Sequence, residues 1–244
     1  MKEEILRNYK GQYCTIDDIV GFVERMNGDV SRKTVIWNVN ELVRQGKAVR
    51  YGRGVYGFVP KPRFVPVLSE LAKLACSMLY CKFKYLTFTV TDSGELGEFM
   101  NLQPFSTVVV IETKKSAAGA VLSALRKEGM DAYAKRDFSK LERYISSSQP
   151  IVVRPELAVN PSMFQENNIR VANLEKILVD LVCDQDIYGQ YQDEELQNIY
   201  INAAESYAVN YSQMLKYASA RKRKAAVLEL LEDTDVYSNI KGLI

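Results

Sequence analysis

Three polar side chains beside two predicted strands are the strongest catalytic candidates in this sequence. Asp92 follows a stretch rich in β-branched and aromatic residues, while Glu112 and Lys114 follow the next such stretch. Carboxylate oxygens are suitable ligands for Mg²⁺, and a nearby lysine can stabilise charge around an attacking water. The spacing therefore allows metal-dependent hydrolysis. The competing interpretation is structural, because strand ends are usually polar and Asp92 begins an ordinary Asp-Ser-Gly turn.

Other kinds of catalytic and metal site are excluded by composition. The sequence has no histidine, which removes Ser-His-Asp and Cys-His sets and imidazole metal sites. There is also no glycine-rich phosphate loop. We expect a protein without catalytic residues, metal or other cofactor. Neither a secretory signal nor an apolar run of about 18 residues is present. The cysteines form no Cys-x-x-Cys pair and are interpreted as reduced thiols, which predicts a cytoplasmic protein; they are Cys14, Cys76, Cys81 and Cys183.

The net charge of +2 conceals an uneven distribution. Residues 1–66 contain 12 basic and 7 acidic residues, so that segment carries +5 and the remainder −3. Within residues 31–64, eight basic residues stand against one acidic residue. Such an asymmetry favours a nucleic-acid-binding module joined to a second part, although chance unevenness explains it about as well.

The first quarter of the chain has the element order of a winged helix-turn-helix. Helices are predicted from residue 3, from Thr15 with Asp18 in the capping-box position, and from Ser31 as N-cap. Strands at 48–51 and 55–59 follow, joined by a glycine-rich turn. Prolines then indicate a linker at about 60–67. We therefore predict a DNA-binding domain at 1–62 and a second domain at 68–244.

The third helix and the wing carry the residues that we expect to contact double-stranded DNA. Arginine and lysine can neutralise phosphate or bond guanine, and asparagine can pair with adenine. The alternative is a solvated basic face or a surface for protein contact. The predicted DNA-binding residues are Arg32, Lys33, Thr34, Trp37, Asn38 and Arg44 on the helix, with Arg50 and Arg53 on the wing.

Beyond the linker, the pattern predicts an α/β region followed by helices, so the whole chain is assigned to the α+β class. The expected strands are 85–91, 107–111, 131–134 and 151–153, and the expected helices are 68–81, 116–128 and 138–145. From about 171 the chain is predicted to be helical, with helices near 171–182, 192–218 and 222–232.

Asp92 and Glu112-Thr113-Lys114 on neighbouring strands resemble the core of restriction endonucleases, in an active or a catalytically silent form. We interpret the basic run at 221–224 as a solvated junction and the six tyrosines between 188 and 217 as helix packing, with contacts to partners as the alternatives.

Two stretches resemble the AbiEi family, the antitoxins of type IV toxin–antitoxin systems. The first is the Gly-x-Gly-x-Tyr wing, which consists of Gly52, Gly54 and Tyr56. The second is the family's helix motif, here Leu174, Glu175, Lys176, Leu178, Asp180 and Leu181. The region after about 190 is longer and richer in tyrosine than the family pattern.

The resemblance implies an autoregulatory repressor that binds inverted repeats upstream of its own operon. It further implies that the second domain neutralises a nucleotidyltransferase toxin encoded by the neighbouring gene, without needing a stable complex. Two-fold operators would suit a homodimer. The alternatives are a winged-helix nuclease using Asp92, Glu112 and Lys114 with Mg²⁺, and a transcription factor whose second domain senses a ligand.

Overall fold

The protein is a mixed α+β structure with a helical C-terminal region, which confirms the predicted class. The computed structural model describes residues 1–59, 61–101, 104, 106–141, 147–164 and 169–243. Within these ranges, no helix is long and apolar enough to cross a membrane.

The N-terminal part consists of three helices and a small antiparallel sheet. Strand β1 pairs with β3, and β3 pairs with β2, so the order across the sheet is β1-β3-β2. A core of apolar side chains from all three helices lies beneath this sheet. The elements are α1 (Lys2–Asn8), β1 (Tyr13–Thr15), α2 (Ile16–Asn27), α3 (Arg32–Arg44), β2 (Val49–Gly52) and β3 (Val55–Gly57).

Local capping signals determine where α2 and α3 begin. The Thr15 hydroxyl accepts a hydrogen bond from the Asp18 backbone N–H, and the Asp18 carboxylate accepts from the Thr15 N–H, which confirms the predicted capping box. Ser31 likewise caps α3 by accepting from the Thr34 N–H. Gly28 follows α2 with φ +74°, a conformation that favours glycine.

Strand β1 was not predicted. It has only three residues, of which Cys14 alone is buried, so it carries no recognisable alternation of apolar and polar residues. Its backbone is held by β3, with Tyr13 opposite Gly57 and Thr15 opposite Val55. A strand this short is therefore defined by its pairing partner.

The central part contains a six-stranded mixed sheet in the order β6-β7-β5-β4-β9-β8. Neighbours β4 and β5 are antiparallel, as are β8 and β9, while the remaining pairs are parallel. Helices α4 and α5 cover one face and the C-terminal helices cover the other. The elements are α4 (Glu70–Lys82), β4 (Phe88–Asp92), a 3-10 helix (Ser93–Phe99), β5 (Val109–Thr113), α5 (Ala118–Lys127), β6 (Ala132–Ala134), α6 (Lys135–Leu141), β7 (Ile151–Pro155), β8 (Ser162–Phe164) and β9 (Ile169–Ala172).

Two predictions in this part need correction. Strands β8 and β9 extend the sheet beyond the four predicted strands, and β9 has only two buried residues. Helix α6 begins at Lys135, earlier than the predicted 138–145, and residues 142–145 of that prediction lie outside the described residues.

The single helix predicted at 192–218 is wrong, because the chain divides there into two helices. Tyr207 adopts an extended backbone with φ −128° and ψ 159°, and its ring packs edge-on against Phe64 and Phe99. Asn210 then caps the next helix by accepting from the Gln213 N–H. The C-terminal elements are α7 (Leu174–Cys183), a short 3-10 helix (Gly189–Tyr191), α8 (Glu194–Ser206), α9 (Tyr211–Ala220), α10 (Lys224–Glu232) and α11 (Asp235–Ile240).

The small N-terminal sheet packs against the C-terminal helices. The rings of Tyr51 on β2 and Tyr211 on α9 are stacked with their centroids 6.1 Å apart. The segment predicted as a linker is held in this contact, since Lys61 Nζ donates to the Ala204 carbonyl at 2.6 Å and Phe64 is buried. The small N-terminal sheet and the C-terminal helices therefore share one apolar core.

Candidate nucleic-acid interface

The outer face of α3 is polar, basic and open to solvent. The buried stripe of the helix comprises Val35, Val39 and Leu42 with Asn38, which turns the other side outward. The indole of Trp37 is 57% exposed, unusual for the largest apolar side chain. The predicted contact residues that lie on this exposed face are Arg32, Lys33, Thr34, Trp37 and Arg44.

Asn38 is not on that face, so its predicted exposure to DNA is wrong. The residue is 9% exposed, and its Nδ2 donates to the Thr34 carbonyl at 2.8 Å and lies 3.0 Å from Met1 Sδ. The position follows Val35 by three residues and precedes Leu42 by four, which is the periodicity of the buried stripe. This spacing predicts a buried position for Asn38, and it is a better guide to the residue's location than the ability of asparagine to pair with adenine.

Two arginines of the exposed face are held in surface ion pairs. Arg32 pairs with Asp17 of α2, and this hydrogen bond raises the pKa of the guanidinium, while Arg44 pairs with Glu41. All four side chains have access to water, and exposed ion pairs contribute little to stability. An incoming polyanion can therefore replace these carboxylates as the partner of each arginine.

Helix α1 adds a cation that sequence reasoning missed. The Nζ of Lys2 lies 4.9 Å from the centroid of the Trp37 ring. A cation above an indole face is a favourable arrangement. Lys2 therefore extends the basic face beyond α3, although 35 positions separate the two residues in sequence.

The β2–β3 turn carries the two remaining predicted contact residues. Arg53 is exposed at its tip, where Gly54 adopts φ +79° to complete the turn. Arg50 is also exposed, and its Nε donates to the Gly52 carbonyl at 3.2 Å. This bond turns the Arg50 side chain along the hairpin.

The catalytic set of Asp92, Glu112 and Lys114 is not formed. In the antiparallel pair, Asp92 lies opposite Val109 and Glu112 lies opposite Thr89, which separates the carboxylates by three residues, or roughly 10 Å, along the strands. The two side chains also point to opposite faces of the sheet. Asp92 accepts from the backbone N–H groups of Ser69 and Gly94, at 2.9 and 3.0 Å.

Glu112 instead belongs to a group of charged side chains beneath the sheet, which we call the buried ionic network. Each member of its core except Arg221 is 5% exposed or less. This core balances three carboxylates against three cations: Glu112, Asp180 and Asp184 against Arg154, Lys176 and Arg221. At the edge of this core, the half-buried Lys135 pairs with Asp184 and with Asp186, which adds one charge of each sign. Within the described residues, no group of three or more carboxylate or thiol side chains is arranged to hold a metal ion.

Asp180 lies at the centre of the network. Its two oxygens accept from Lys176 Nζ at 2.6 Å, Arg221 at 2.6 Å, the Tyr217 hydroxyl at 2.7 Å and Arg154 at 2.8 Å. Burial alone would raise the pKa of Asp180, but the positive charges around it outweigh burial and lower the pKa. The carboxylate is therefore held in its charged form.

The network accounts for two patterns in the sequence. Lys176 and Asp180, one turn apart on α7, are two of the three charged residues between Leu174 and Leu181. Arg221 is the first residue of the basic run at 221–224 but turns inward to bind Asp180 and Asp184, whereas residues 222–224 are exposed.

Five of the six tyrosines between 188 and 217 are buried, which confirms that helix packing accounts for most of them.

A family model described as "Family of unknown function (DUF6577)" matches residues 34–236. The chain belongs to this family. A comparison with curated proteins found no match.

The matched part of this DUF6577 protein begins within α3 and ends within α11. It therefore includes Trp37 and Arg44, the hairpin arginines and the whole buried ionic network. Helices α1 and α2, which provide Lys2 and the Asp17 partner of Arg32, precede it.

Proposed function

We propose that this DUF6577 protein binds double-stranded DNA through a winged helix-turn-helix, with α3 as the recognition helix and the β2–β3 hairpin as the wing. The observation that supports this proposal most directly is the exposed basic face of α3, which has Trp37 at its middle, together with the exposed arginines of the hairpin. A helix of this kind fits the major groove, and a hairpin at its side can reach the backbone or a minor groove.

The arrangement of the N-terminal elements supports this proposal. In the order α1-β1-α2-α3-β2-β3, β1 closes the sheet beside β3, and the side chains on the outer face of α3 remain exposed. The neighbouring helices reach this face through the Lys2 side chain at Trp37 and the Asp17 side chain at Arg32. Ser31 and the buried stripe fix the helix from its first turn to its end. The α3 side chains can therefore reach base edges without a change in the backbone.

The proposed contacts have separate roles. Arg32, Lys33 and Arg44 would neutralise phosphates or bond guanine, and Thr34 and Trp37 would contact base edges or sugars. Arg53 would bind backbone at the wing, with Arg50 behind it. Asn38 takes a supporting role here, because its amide bonds to the Thr34 carbonyl.

We further propose that the protein is a non-enzymatic antitoxin and autoregulator of a type IV toxin–antitoxin system. The support is the resemblance to AbiEi proteins, whose helix motif supplies Lys176 and Asp180 of the buried ionic network here. The part from 68 to 244 would then be a catalytically silent relative of the restriction-endonuclease core, since Asp92 and Glu112 face opposite sides of the sheet. It would neutralise a nucleotidyltransferase toxin from the neighbouring gene.

The DNA-binding proposal is tested by fluorescence anisotropy with a duplex from the region upstream of the protein's own operon. Binding should weaken steeply with salt, because neutralised phosphates release counterions. Arg53→Ala should weaken binding to all sequences and reduce the salt slope by about 1. The matched control is Arg136→Ala, an exposed arginine on α6. Absence of binding at low salt would refute the proposal.

The antitoxin proposal requires a separate experiment. Co-expression with the neighbouring nucleotidyltransferase should restore growth to cells that the toxin alone arrests. Arg53→Ala should retain this protection, because the wing is assigned to DNA. Failure to restore growth, or absence of such a gene, would reject the antitoxin role and leave the DNA-binding test unaffected.

A further inference from the structure

A concave groove of about 860 Å³ lies between the N-terminal part and the C-terminal helices. It is lined by the end of α3, the start of β2 and the segment from Lys61 to Phe64. The start of α7 and the turn between α8 and α9 complete the lining. We call it the basic groove. Its volume falls within the range of about 300–1,000 Å³ that is usual for small-molecule sites.

The charge of the basic groove is strongly positive. Four cationic side chains line it, and they come from three different segments of the chain: Arg44, Arg50, Lys61 and Arg63. The acidic lining residue is Glu175, which is 7% exposed and accepts from the Asn210 N–H at 2.7 Å. The four cationic side chains outnumber this carboxylate, so the lining carries a net positive charge.

The composition of the groove fits a phosphate attached to a flat organic group. Guanidinium groups bind phosphate oxygens through paired hydrogen bonds. The apolar side chains of Val43, Pro62 and Phe64 lie beside these cations. Gln213 also lines the groove; its amide oxygen accepts from Asn173 Nδ2 at 3.2 Å, and its Nε2 is a donor. Cations, an apolar surface and amides together match the phosphate, ring face and ring edge of a nucleotide.

We propose that the basic groove binds a mononucleotide, with its phosphates against Arg44, Arg50 and Arg63. Arg44 and Arg50 also belong to the proposed DNA-contact set, so nucleotide binding should draw them away from DNA and weaken operator binding. This coupling rests on the proposed function, whereas the nucleotide site does not.

Calorimetric titration of the full chain tests the site without DNA. The probes are ATP, GTP, CTP and UTP, each alone, with adenosine and inorganic phosphate as fragments. At least one triphosphate should bind, and each fragment should bind tenfold or more weakly than the triphosphate. If none of the four binds at millimolar concentration, the proposal is overturned.

Three variants locate the site. Arg63→Gln should raise the dissociation constant about tenfold or more, because a charge-assisted hydrogen bond is lost. Gln213→Trp, which places bulk at the exposed rim, should reduce binding independently of charge. Arg136→Gln on α6 should leave binding unchanged. Unaltered nucleotide affinity in both Arg63→Gln and Gln213→Trp would refute the assignment to this groove.

The coupling is tested by adding the bound nucleotide to the anisotropy assay. Nucleotide should weaken DNA binding by the wild type, and Arg63→Gln should remove that effect. Nucleotide binding without an effect on DNA would refute the coupling alone. Absence of nucleotide binding, together with weaker DNA binding by Arg63→Gln, would overturn the site and reassign the groove to the DNA backbone. If no DNA binds, the proposed function fails while calorimetry still decides the site.

Discussion

Removing one charge from the buried ionic network should destabilise the protein strongly, and Asp180→Asn is the sharpest such change. The amide retains the size of the carboxylate but not its charge. Lys176, Arg154 and Arg221 would then face only two carboxylates, and the network would carry an uncompensated positive charge away from water. Breaking a buried ion pair from one side typically costs about 3–5 kcal/mol. For a chain of this size, that cost corresponds to a fall in Tm of roughly 6–20 °C.

The assay is urea unfolding at neutral pH, followed by circular dichroism, with thermal unfolding in parallel. The control is Lys73→Gln, which breaks the exposed pair with Glu70 and should cost less than about 1 kcal/mol. Lys176→Met alone should also destabilise, because it leaves an excess negative charge. The double variant Lys176→Met, Asp180→Asn restores the balance, so its loss should be smaller than the sum of the two single losses. Stability of Asp180→Asn within about 1 kcal/mol of wild type, or additive losses, would refute charge balance as the stabilising factor.

Three further predictions concern single positions. Burial, with Asp92 and Glu98 nearby, raises the pKa of Glu95 to about 9, so between about pH 4.5 and 9 the unfolded chain loses this proton while the folded protein keeps it, and stability falls as pH rises. The Tm of Glu95→Gln should therefore exceed the wild-type Tm by a difference that grows between pH 5 and pH 8. A Tm difference that does not change with pH would contradict this. Gly57→Ala would place the new Cβ 2.6 Å from the buried Tyr51 ring and should lower the free energy of unfolding by about 1–3 kcal/mol. The control Gly119→Ala on α5 adds its Cβ to open space and should be neutral or stabilising in the same denaturation experiment. Cys81 is the exposed thiol and should react with a disulfide reagent within the native protein, while burial raises the pKa of the other three cysteines; equal reaction rates of all four would refute this.

Local signals in the sequence predicted the parts of the fold that depend on neighbouring residues. The capping box at Thr15, the Ser31 cap, the stripe on α3 and the glycine turn of the hairpin all act within a few positions of one another. The same kind of signal placed Asn38 on the buried face, but the chemistry of asparagine was given more weight than its spacing. Its correct position was therefore available from the sequence.

Long-range pairing limited the prediction of the sheet. Strand β1 is a strand because β3 hydrogen-bonds to it, and its three residues carry no pattern of their own. The direction of β5 relative to β4 is what excludes the catalytic set of Asp92, Glu112 and Lys114. An antiparallel register puts Asp92 and Glu112 at different ends and on opposite faces, and neither residue type nor spacing encodes that direction.

What the sequence by itself determined is the class of the fold, the basic character of the first quarter and the side chains exposed on most of α3, because helix periodicity and local charge decide these. Tertiary structure decided the rest. Glu112, Arg154, Lys176 and Arg221 come from distant segments and individually look like surface charges, yet burial under one sheet makes them a balanced network. The basic groove has the same origin, since Arg44, Lys61 and Arg63 face one cavity only after the C-terminal helices pack against β2. The sequence gives the charge of each side chain, whereas the burial of that charge and its ion-pair partners depend on packing between residues far apart in the chain.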